Sequence, residues 1–313
     1  MKEIIVEICQ NFKGDKDILK KMIYSAAENG ATHAKIQSYR SDELTYRPEF
    51  EIRNSNGIDR PYKAEFERLK KADLSDDDIF WFVDECRAAG IKPLITIFTR
   101  GRIFKLAKLN WDEVKVASYD CASFPMIEEL RDCFQHLYIS TGASFDDEIG
   151  RTAEIMKGHH FTFLHCVTKY PTKLEDCNLA RIEWLKQFTP SVGYSDHSLV
   201  SRDGILAALA ALAMGADVIE RHFTVVGAEE TRDGPVSINP KQLKELVAWS
   251  KKETGELIEY LDKVMPEWRN VVMGSAERKL TDEELRNRKY YRGRFATRIG
   301  DSLVFNWENK PIN

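Results

Sequence analysis

Short runs rich in β-branched residues alternate with helical periodicities along most of the chain, and this alternation restricts the possible folds more than any other feature. The predicted strands cover residues 4–8, 33–37, 92–98, 113–118, 136–141, 161–166, 191–195 and 217–223. The predicted helices cover residues 16–28, 75–89, 102–108, 124–134, 146–157, 180–188, 201–214 and 240–260. Strict alternation of this kind predicts a parallel sheet whose strands are joined by helical crossovers.

Eight strand–helix units in 313 residues favour a closed α/β barrel, a (β/α)8 or TIM barrel, with a short C-terminal extension. The alternative is an open, doubly wound sheet, which usually carries a glycine-rich first βα turn, and Gly14 alone is not that fingerprint. We therefore expect a barrel domain over residues 1–263 and a tail over residues 264–313. The tail is predicted to hold a short helix at 281–286 and extended segments at 290–297 and 301–307.

A long charged insertion, residues 38–73, follows the second predicted strand. Loops of this length are usually lids or disordered segments, and we expect one or the other here.

Composition and charge exclude several classes of protein. The net charge is −4 with acids and bases mixed, and no basic stripe indicates nucleic-acid binding. The chain contains no stretch of 18 apolar residues, so no membrane span is expected. The first residues lack the pattern of a signal peptide. The six cysteines form no CxxC pair, so we expect free thiols and a cytoplasmic protein.

Every predicted strand carries polar residues near its carboxyl end, although buried parallel strands are usually apolar. In strand order they are Glu7 and Asn11; Lys35 and Gln37; Thr96 and Phe98 beside it; Lys115, Ser118 and Asp120; Ser140, Thr141 and Gly142; His165, Cys166, Thr168 and Tyr170; Ser195, Asp196 and His197; and Glu220, Arg221 and His222. Any one of them could be half of a buried ion pair. Because barrel active sites lie at the carboxyl ends of the strands, the whole set favours a site at the barrel mouth.

One subset combines cations with hydroxyl groups: Lys35, Lys115, Ser118, Ser140 and Ser195. Such a convergent set suits a small polyanion with phosphate or carboxylate groups. The alternative for each serine is a hydroxyl that hydrogen-bonds a neighbouring carbonyl.

A second subset is the pair His197 and His222, at the ends of adjacent predicted strands. Two imidazoles there could share one divalent ion that polarises a carbonyl. For either histidine alone, a core or general-base role would be the better interpretation. His165 also lies at a strand end, and we expect it to be structural.

At these residues the chain resembles the sialic acid (N-acetylneuraminate) synthase family, across about residues 1–257. The matching stretches occur in family order and are IVEICQNFKGD, AKIQSY, KVASYD, ISTG, HCVTKYPT with EDCNL, VGYSDHS, and GADVIERHFT with DGPVSINP. The combination of HCVTKYPT, GYSDHS and IERHFT is a specific signal, whereas any one of them would be weak.

The resemblance implies a (β/α)8 barrel transferase that joins phosphoenolpyruvate to N-acetylmannosamine or a related amino sugar, giving a nonulosonic acid and phosphate. It implies Mn²⁺ or Mg²⁺ bound by His197 and His222. The implied phosphoenolpyruvate contacts are Lys35, Thr96, Lys115, Ser118, Ser140 and Ser195. The implied sugar-side residues are Glu7, Gln37, Phe98, Asp120, Thr168, Tyr170 and Asp233.

The implied reaction begins with attack of the enol carbon of phosphoenolpyruvate on the sugar aldehyde, and His222 is assigned a catalytic as well as a metal-binding role. Water then adds at C2 and phosphate leaves by C–O cleavage. Glu7 and Asp120 are the candidates for proton transfer, while Lys35 and Lys115 offset the charge of the anion.

Departures from the family pattern cluster on the sugar side: Phe12 where His is frequent, Thr168 where Asn is frequent, Asp120 where Glu is frequent, and DGPVS in place of GPDH. The C-terminal antifreeze-like (SAF) domain of the family, which reaches across a dimer with an arginine, is not expected in a chain that ends here. We expect a homodimer whose tail supplies Arg294, or else Arg292 or Arg298, to the partner. The alternative is a basic strap on its own barrel.

Three other functions stay open. A Schiff-base aldolase could use Lys35 or Lys115 without a metal. A related condensation with another aldose would give a different 3-deoxy-ulosonic acid, and a second phosphate could then bind arginines of the insertion, Arg40, Arg47, Arg53 and Arg60. The third is a non-catalytic barrel subunit, which the cost of unused buried polar groups disfavours.

Overall fold

The computed structural model describes residues 2–51, 60–109, 111, 113–300 and 302–312. Eight parallel strands are hydrogen-bonded in chain order and close into a barrel, which confirms the (β/α)8 prediction and excludes the open sheet. The strands are β1 (Glu3–Glu7), β2 (His33–Ser38), β3 (Lys92–Ile97), β4 (Glu113–Val116), β5 (His136–Ser140), β6 (His160–Cys166), β7 (Val192–Asp196) and β8 (Val218–His222). Their residues are largely buried, as expected for strands covered on both faces.

Helices follow the strands and extend into the tail. They are α1 (Lys16–Glu28), α2 (Tyr62–Lys70), α3 (Asp76–Ala89), α4 (Ile103–Ala107), α5 (Phe124–Cys133), α6 (Asp146–Ile155), α7 (Ala180–Leu185), α8 (Val200–Asp203), α9 (Leu206–Ala213), α10 (Pro240–Ser250), α11 (Thr254–Val264), α12 (Trp268–Val272) and α13 (Asp282–Arg292). The tail ends in an antiparallel hairpin of β9 (Ala296–Ile299) and β10 (Ser302–Phe305).

Two helices that the sequence predicted as continuous are interrupted. The predicted helix at 201–214 is split into α8 and α9 at Gly204, whose φ of +55° leaves the helical region. The predicted helix at 240–260 ends at Ser250 and a new helix starts at Thr254. Both interruptions have a local signal in the sequence: polar residues 201–203 precede Gly204, and residues 250–256 contain no apolar side chain.

The predicted extended segment at 290–297 is wrong for its first residues, because α13 continues to Arg292. The helix begins with Thr281 as N-cap, whose side chain accepts a hydrogen bond from the Glu284 amide. At its other end the ring of Tyr290 packs edge-on against Phe50, with 5.0 Å between ring centroids. This packing favours helix over the extended conformation that the aromatic residues suggested.

The insertion is not disordered over its described residues. It contains two 3₁₀ turns, Ser41–Glu43 and Pro48–Phe50, and the helix α2. Its side chains form an apolar cluster with the tail, in which Tyr39, Leu44 and Leu69 are buried against Phe295. Arg53, a candidate for a second phosphate, lies outside the described residues.

The chain divides into two compact units. The first unit comprises Met1–Ile36, Trp81–Leu94 and Thr162–Arg278, and the second comprises Gln37–Phe80, Ile95–Phe161 and Lys279–Asn313. Within the first unit, Gly193 of β7 allows close packing of neighbouring strands. A Cβ at this position would lie 2.5 Å from both the Leu164 Cδ2 and the Val218 carbonyl oxygen. Across the described parts of the chain, no helix combines the length and the apolar character that crossing a bilayer requires.

Candidate functional site

The first unit buries a lysine between two carboxylates at its strand ends. Lys35 of β2 forms an ion pair with Glu7 of β1, and its Nζ lies 3.5 Å from the Oε2 of Glu220 of β8. The hydroxyl of Ser195 donates a hydrogen bond of 2.8 Å to the other oxygen of Glu220. All four side chains are buried. Four strand ends thus supply one connected, charged network.

Side chains alternate between the two faces of a strand, which separates this network from a neighbouring ion pair. Ser195 is in register with Glu220, and Asp196 is in register with Arg221. Asp196 and Arg221 form a fully buried ion pair, and Arg221 also donates a 2.9 Å hydrogen bond to the Ser198 hydroxyl. We interpret this second pair as structural, because its charges are already matched within the chain.

His197 and His222 lie close together in the same unit, with 5.5 Å between their ring centroids. The Tyr170 ring packs 4.1 Å from the His197 ring, and Tyr170 itself is half exposed. Burial and then the neighbouring His222 hold the pKa of His197 well below its ordinary value. Burial also lowers the pKa of His222, opposed by the nearby Asp233 carboxylate. Both rings are therefore neutral near pH 7, the form that binds metal ions.

A third side chain approaches His222 that the sequence analysis treated as an ordinary thiol. Ligand atoms of Cys9, His222 and Asp233 all lie within 4.8 Å of one another. The Cys9 thiol donates a hydrogen bond of 3.1 Å to the Oδ2 of Asp233, a residue that the sequence assigned to the sugar. The sequence did hold one signal for Cys9, which is its position two residues after Glu7, at the end of β1.

His165, expected to be structural, is buried and its Nε2 lies 2.7 Å from the Cys177 carbonyl oxygen. A ring nitrogen engaged in this way is held by the backbone.

The second unit brings together part of the predicted anion-binding set. The ammonium of Lys115 on β4 donates a 2.7 Å hydrogen bond to the Ser140 hydroxyl on β5. Thr96 of β3 is in register with Lys115. Lys115, Ser140 and Thr96 are almost fully buried, whereas Ser118 is half buried at the end of β4. The three strand ends therefore present a buried cation beside hydroxyl groups.

Asp120 is buried in the second unit and is held by hydrogen bonds from two sides. Its Oδ1 accepts 2.9 Å hydrogen bonds from the Ser123 hydroxyl and from the side-chain amide of Asn306. The same amide donates to the Phe98 carbonyl at 2.8 Å. Burial raises the pKa of Asp120 to about 6, and the hydrogen bonds and the charge of Arg292 oppose that rise. Asn306 is a contact that the sequence analysis missed.

A small cleft opens beside Asp120. Its walls come from two strand ends and from the tail, and they are Phe98, Tyr119, Asp120, Tyr291, Arg292, Arg294, Phe295 and Asn306. Arg294 donates a 3.2 Å hydrogen bond to Glu65 of the insertion, while its guanidinium lies 5.0 Å from the centre of the Phe295 ring. In the described chain, Arg292 and Arg294 thus line the same cleft as Asp120 of their own chain, and Arg298 is exposed.

Other predicted site residues have less defined surroundings. Gln37 is half buried at the end of β2, and Thr168 is almost fully buried after β6. Two arginines considered for a second phosphate are engaged elsewhere. Arg47 donates to the Tyr290 carbonyl at 2.6 Å, and Arg60 lies 3.4 Å from the Glu65 carboxylate.

Buried cations, hydroxyl groups and neutral imidazoles at the carboxyl ends of parallel barrel strands define this chain as a barrel enzyme. A family model described as "NeuB family" matches residues 22–257. The chain belongs to the NeuB family.

Three similar proteins carry names that describe synthases. The chain is 29% identical over 292 residues to the N,N'-diacetyllegionaminic acid synthase of Legionella pneumophila, covering 90% of this chain and 76% of that protein. It is 32% identical over 255 residues to the N-acetylneuraminate-9-phosphate synthase of Mus musculus, covering 78% of this chain and 68% of that protein. The crystal structure of the N-acetylneuraminic acid (sialic acid) synthetase from Leptospira borgpetersenii in complex with citrate superposes with a TM-score of 0.70 at 28% identity, covering 86% and 91% of the two chains. The chain is thus a synthase-type transferase of this family.

Proposed function

We propose that this protein condenses phosphoenolpyruvate with an N-acetylmannosamine-like amino sugar aldehyde to form a nonulosonic acid, releasing phosphate. The observation that carries the proposal is the Lys115–Ser140 hydrogen bond, a buried cation and hydroxyl at strand ends of a NeuB-family barrel. The names of the relatives support it, because their products are related sugar acids. Because those products differ between relatives, the proposal names a class of sugar substrate and not one particular sugar.

The anion would be bound mainly by charge. Lys115 with Ser140, Ser118 and Thr96, together with Lys35 and Ser195, would donate to the phosphate and carboxylate of phosphoenolpyruvate. Hydrogen bonds in which the donor or the acceptor is charged are shorter and about twice as strong as those between neutral groups. The Lys35–Glu7 ion pair supports this role over Schiff-base chemistry, because an ammonium held by a carboxylate is a poor nucleophile.

The residues present fit a divalent ion. The His222 Nδ1 is buried and has no hydrogen-bond partner among the described residues, although buried polar atoms normally have one. His197 and His222 would hold Mn²⁺ or Mg²⁺. The ion would supply Lewis acidity toward the aldehyde oxygen of the sugar.

Two carboxyl groups are suited to move protons. The enol carbon forms the new C–C bond with the aldehyde carbon, whose oxygen takes up a proton. Water adds to the resulting oxocarbenium at C2 and gives up a proton. The C2–O bond to phosphate then breaks, phosphate leaves with the bonding electrons, and the C2 hydroxyl loses its proton to give the keto group. Asp120, with its pKa near 6, and Glu7 are the proposed proton carriers.

The sugar would contact amide, aromatic, hydroxyl, carboxylate and guanidinium side chains. We propose Gln37, Phe98, Thr168, Tyr170, Asp233 and Arg294 as its contacts. The proposal for Arg294 is supported by its place in the cleft beside Asp120. We further propose that the protein acts in the cytoplasm as a homodimer, in which the exposed Arg298 is the tail arginine best able to meet a partner.

The test is phosphate release from phosphoenolpyruvate and Mn²⁺, screened across mannosamine-type sugars and neutral aldoses. We expect sugar-dependent release that EDTA abolishes and that His222→Ala reduces by at least about 100-fold. His160→Ala, at an exposed histidine, is the matched control and should keep full activity. Absence of release with every sugar contradicts the proposal. EDTA-resistant activity with a borohydride-trapped lysine adduct would instead establish an aldolase.

A further inference from the structure

Two side chains other than His197 place possible metal-ligand atoms close to His222. Cys9, Asp233 and His222 each point one ligand atom into a group less than 4.8 Å across. Cys9 and His222 are buried, and Asp233 is partly buried. A thiol, a carboxylate and an imidazole at this spacing form a set that binds transition metals.

The conformation of Cys9 is unusual and brings its thiol to this place. Its φ of +49° lies in the left-handed region, which costs free energy for any residue with a Cβ. The Cys9 amide donates a 2.6 Å hydrogen bond to the Glu7 carboxylate, and its thiol donates to Asp233. Glycine would adopt this backbone conformation without steric strain, so the Cys9 side chain stands at a position whose backbone favours glycine.

We propose that Cys9 and Asp233 bind the divalent ion together with His222, as a thiolate and a carboxylate ligand. This rests on the proposed function and deepens it by naming two further ligands around His222. A thiolate is a soft ligand, whereas Mg²⁺ and Mn²⁺ favour carboxylate and water oxygens. The site is therefore expected to prefer Zn²⁺, Fe²⁺ or Co²⁺ over Mg²⁺.

Metal binding then releases the thiol proton. The Cys9–Asp233 hydrogen bond is broken as the sulfur becomes a ligand, and the proton passes to solvent. The affinity for the ion should consequently rise with pH more steeply in the natural protein than in a variant without the thiol.

Cobalt gives a direct readout of the sulfur ligand, without phosphoenolpyruvate or sugar. Metal-free protein titrated with Co²⁺ should develop a near-ultraviolet thiolate-to-cobalt charge-transfer band at one equivalent. Cys9→Ser should lose that band, while Cys133→Ser, at a partly buried cysteine of α5, should keep it. A band that persists in Cys9→Ser, or stoichiometric binding without a band in the natural protein, would overturn the proposal.

Two further variants guard against misfolding and separate the ligands. Cys9→Gly relieves the left-handed strain, so it should fold and still lack the band. Asp233→Asn should keep the band and bind Co²⁺ at least about tenfold more weakly, the scale on which changes to a metal site act. Unchanged Co²⁺ affinity in Asp233→Asn contradicts the carboxylate ligand.

The metal preference supplies an independent measurement. Competition titrations should show that Cys9→Ser weakens Zn²⁺ binding by at least about tenfold while changing Mn²⁺ binding much less. Equal losses for both ions contradict a thiolate ligand. These outcomes do not depend on catalysis, so a failed phosphate-release assay would leave them interpretable.

Discussion

The side-chain amide of Asn306 donates a 2.9 Å hydrogen bond to the Oδ1 of Asp120, across 186 residues of sequence. This bond lies in the second unit and ties the tail to the end of β4. An N–H donor stabilises the ionised form of a carboxyl group, so Asn306 lowers the pKa of Asp120 against the effect of burial. The protonation of a candidate catalytic group is thus adjusted by the tail.

Removing this donor should raise the pKa of Asp120 further above 6. If ionised Asp120 is needed, Asn306→Ala moves the acid limb of the kcat/KM profile to higher pH. Asn270→Ala, at an exposed asparagine of α12, should leave the profile unchanged. An acid limb that stays in place in Asn306→Ala contradicts this role. The same pKa shift affects stability. Because the pKa of Asp120 is higher in the folded protein than its ordinary value of 3.8, ionisation lowers the free energy of unfolding, fully above about pH 6 and not at all below pH 3.8.

Lys115→Met should impair binding of phosphoenolpyruvate. Hydrogen bonds to charged groups contribute about 1.5–3 kcal/mol, so we expect the KM for phosphoenolpyruvate to rise at least tenfold. The KM for the sugar should change much less. Lys251→Met, on an exposed lysine after α10, is the control. Equal rises in both KM values would contradict an assignment to the anion.

Arg221→Met should destabilise the fold, because it leaves the buried Asp196 carboxylate without its cation. Breaking a buried ion pair in this way typically costs about 3–5 kcal/mol. Urea unfolding measures the loss. Lys252→Met provides the comparison, since Lys252 and its partner Glu256 are both about half exposed and their ion pair should contribute much less. A comparable free energy of unfolding for both variants would show that Asp196–Arg221 is not structural.

Gly193→Ala should destabilise β7 through a steric clash. Its Cβ would meet the Val218 carbonyl at 2.5 Å, and a backbone atom cannot move aside cheaply. Overpacking of this kind costs about 1–3 kcal/mol or more. At Gly255 of α11 a Cβ meets nothing within 4 Å, so Gly255→Ala should be neutral or stabilising. Thermal unfolding that ranks the two variants in the opposite order would contradict this packing.

Local patterns predicted the barrel because strand and helix periodicities are properties of neighbouring residues. They also located the strand ends that carry Lys35, Lys115 and the two histidines. The alternation of side chains along β7 and β8 could have separated Asp196 and Arg221 from the candidate site, since both point away from Ser195 and Glu220.

What the sequence could not predict depends on contacts between distant segments. The thiol of Cys9 meets Asp233 across 224 residues, and its position after β1 indicates a strand end but not this distant partner. The contact of Asn306 with Asp120 is equally remote. The break at Gly204 is a different case, because polar residues 201–203 and the glycine itself gave a local signal that the prediction of one continuous helix overlooked.

Asp120 and Asn306 belong to the same polypeptide. A substitution at either position therefore impairs only the chain that carries it. Two defective proteins, one altered at Asp120 and the other at Asn306, should not restore each other when mixed. In cells that carry both a normal and an altered gene copy, output should fall in proportion to the altered subunits present. The pairing of Asp120 with Asn306 is thus complete within each single chain.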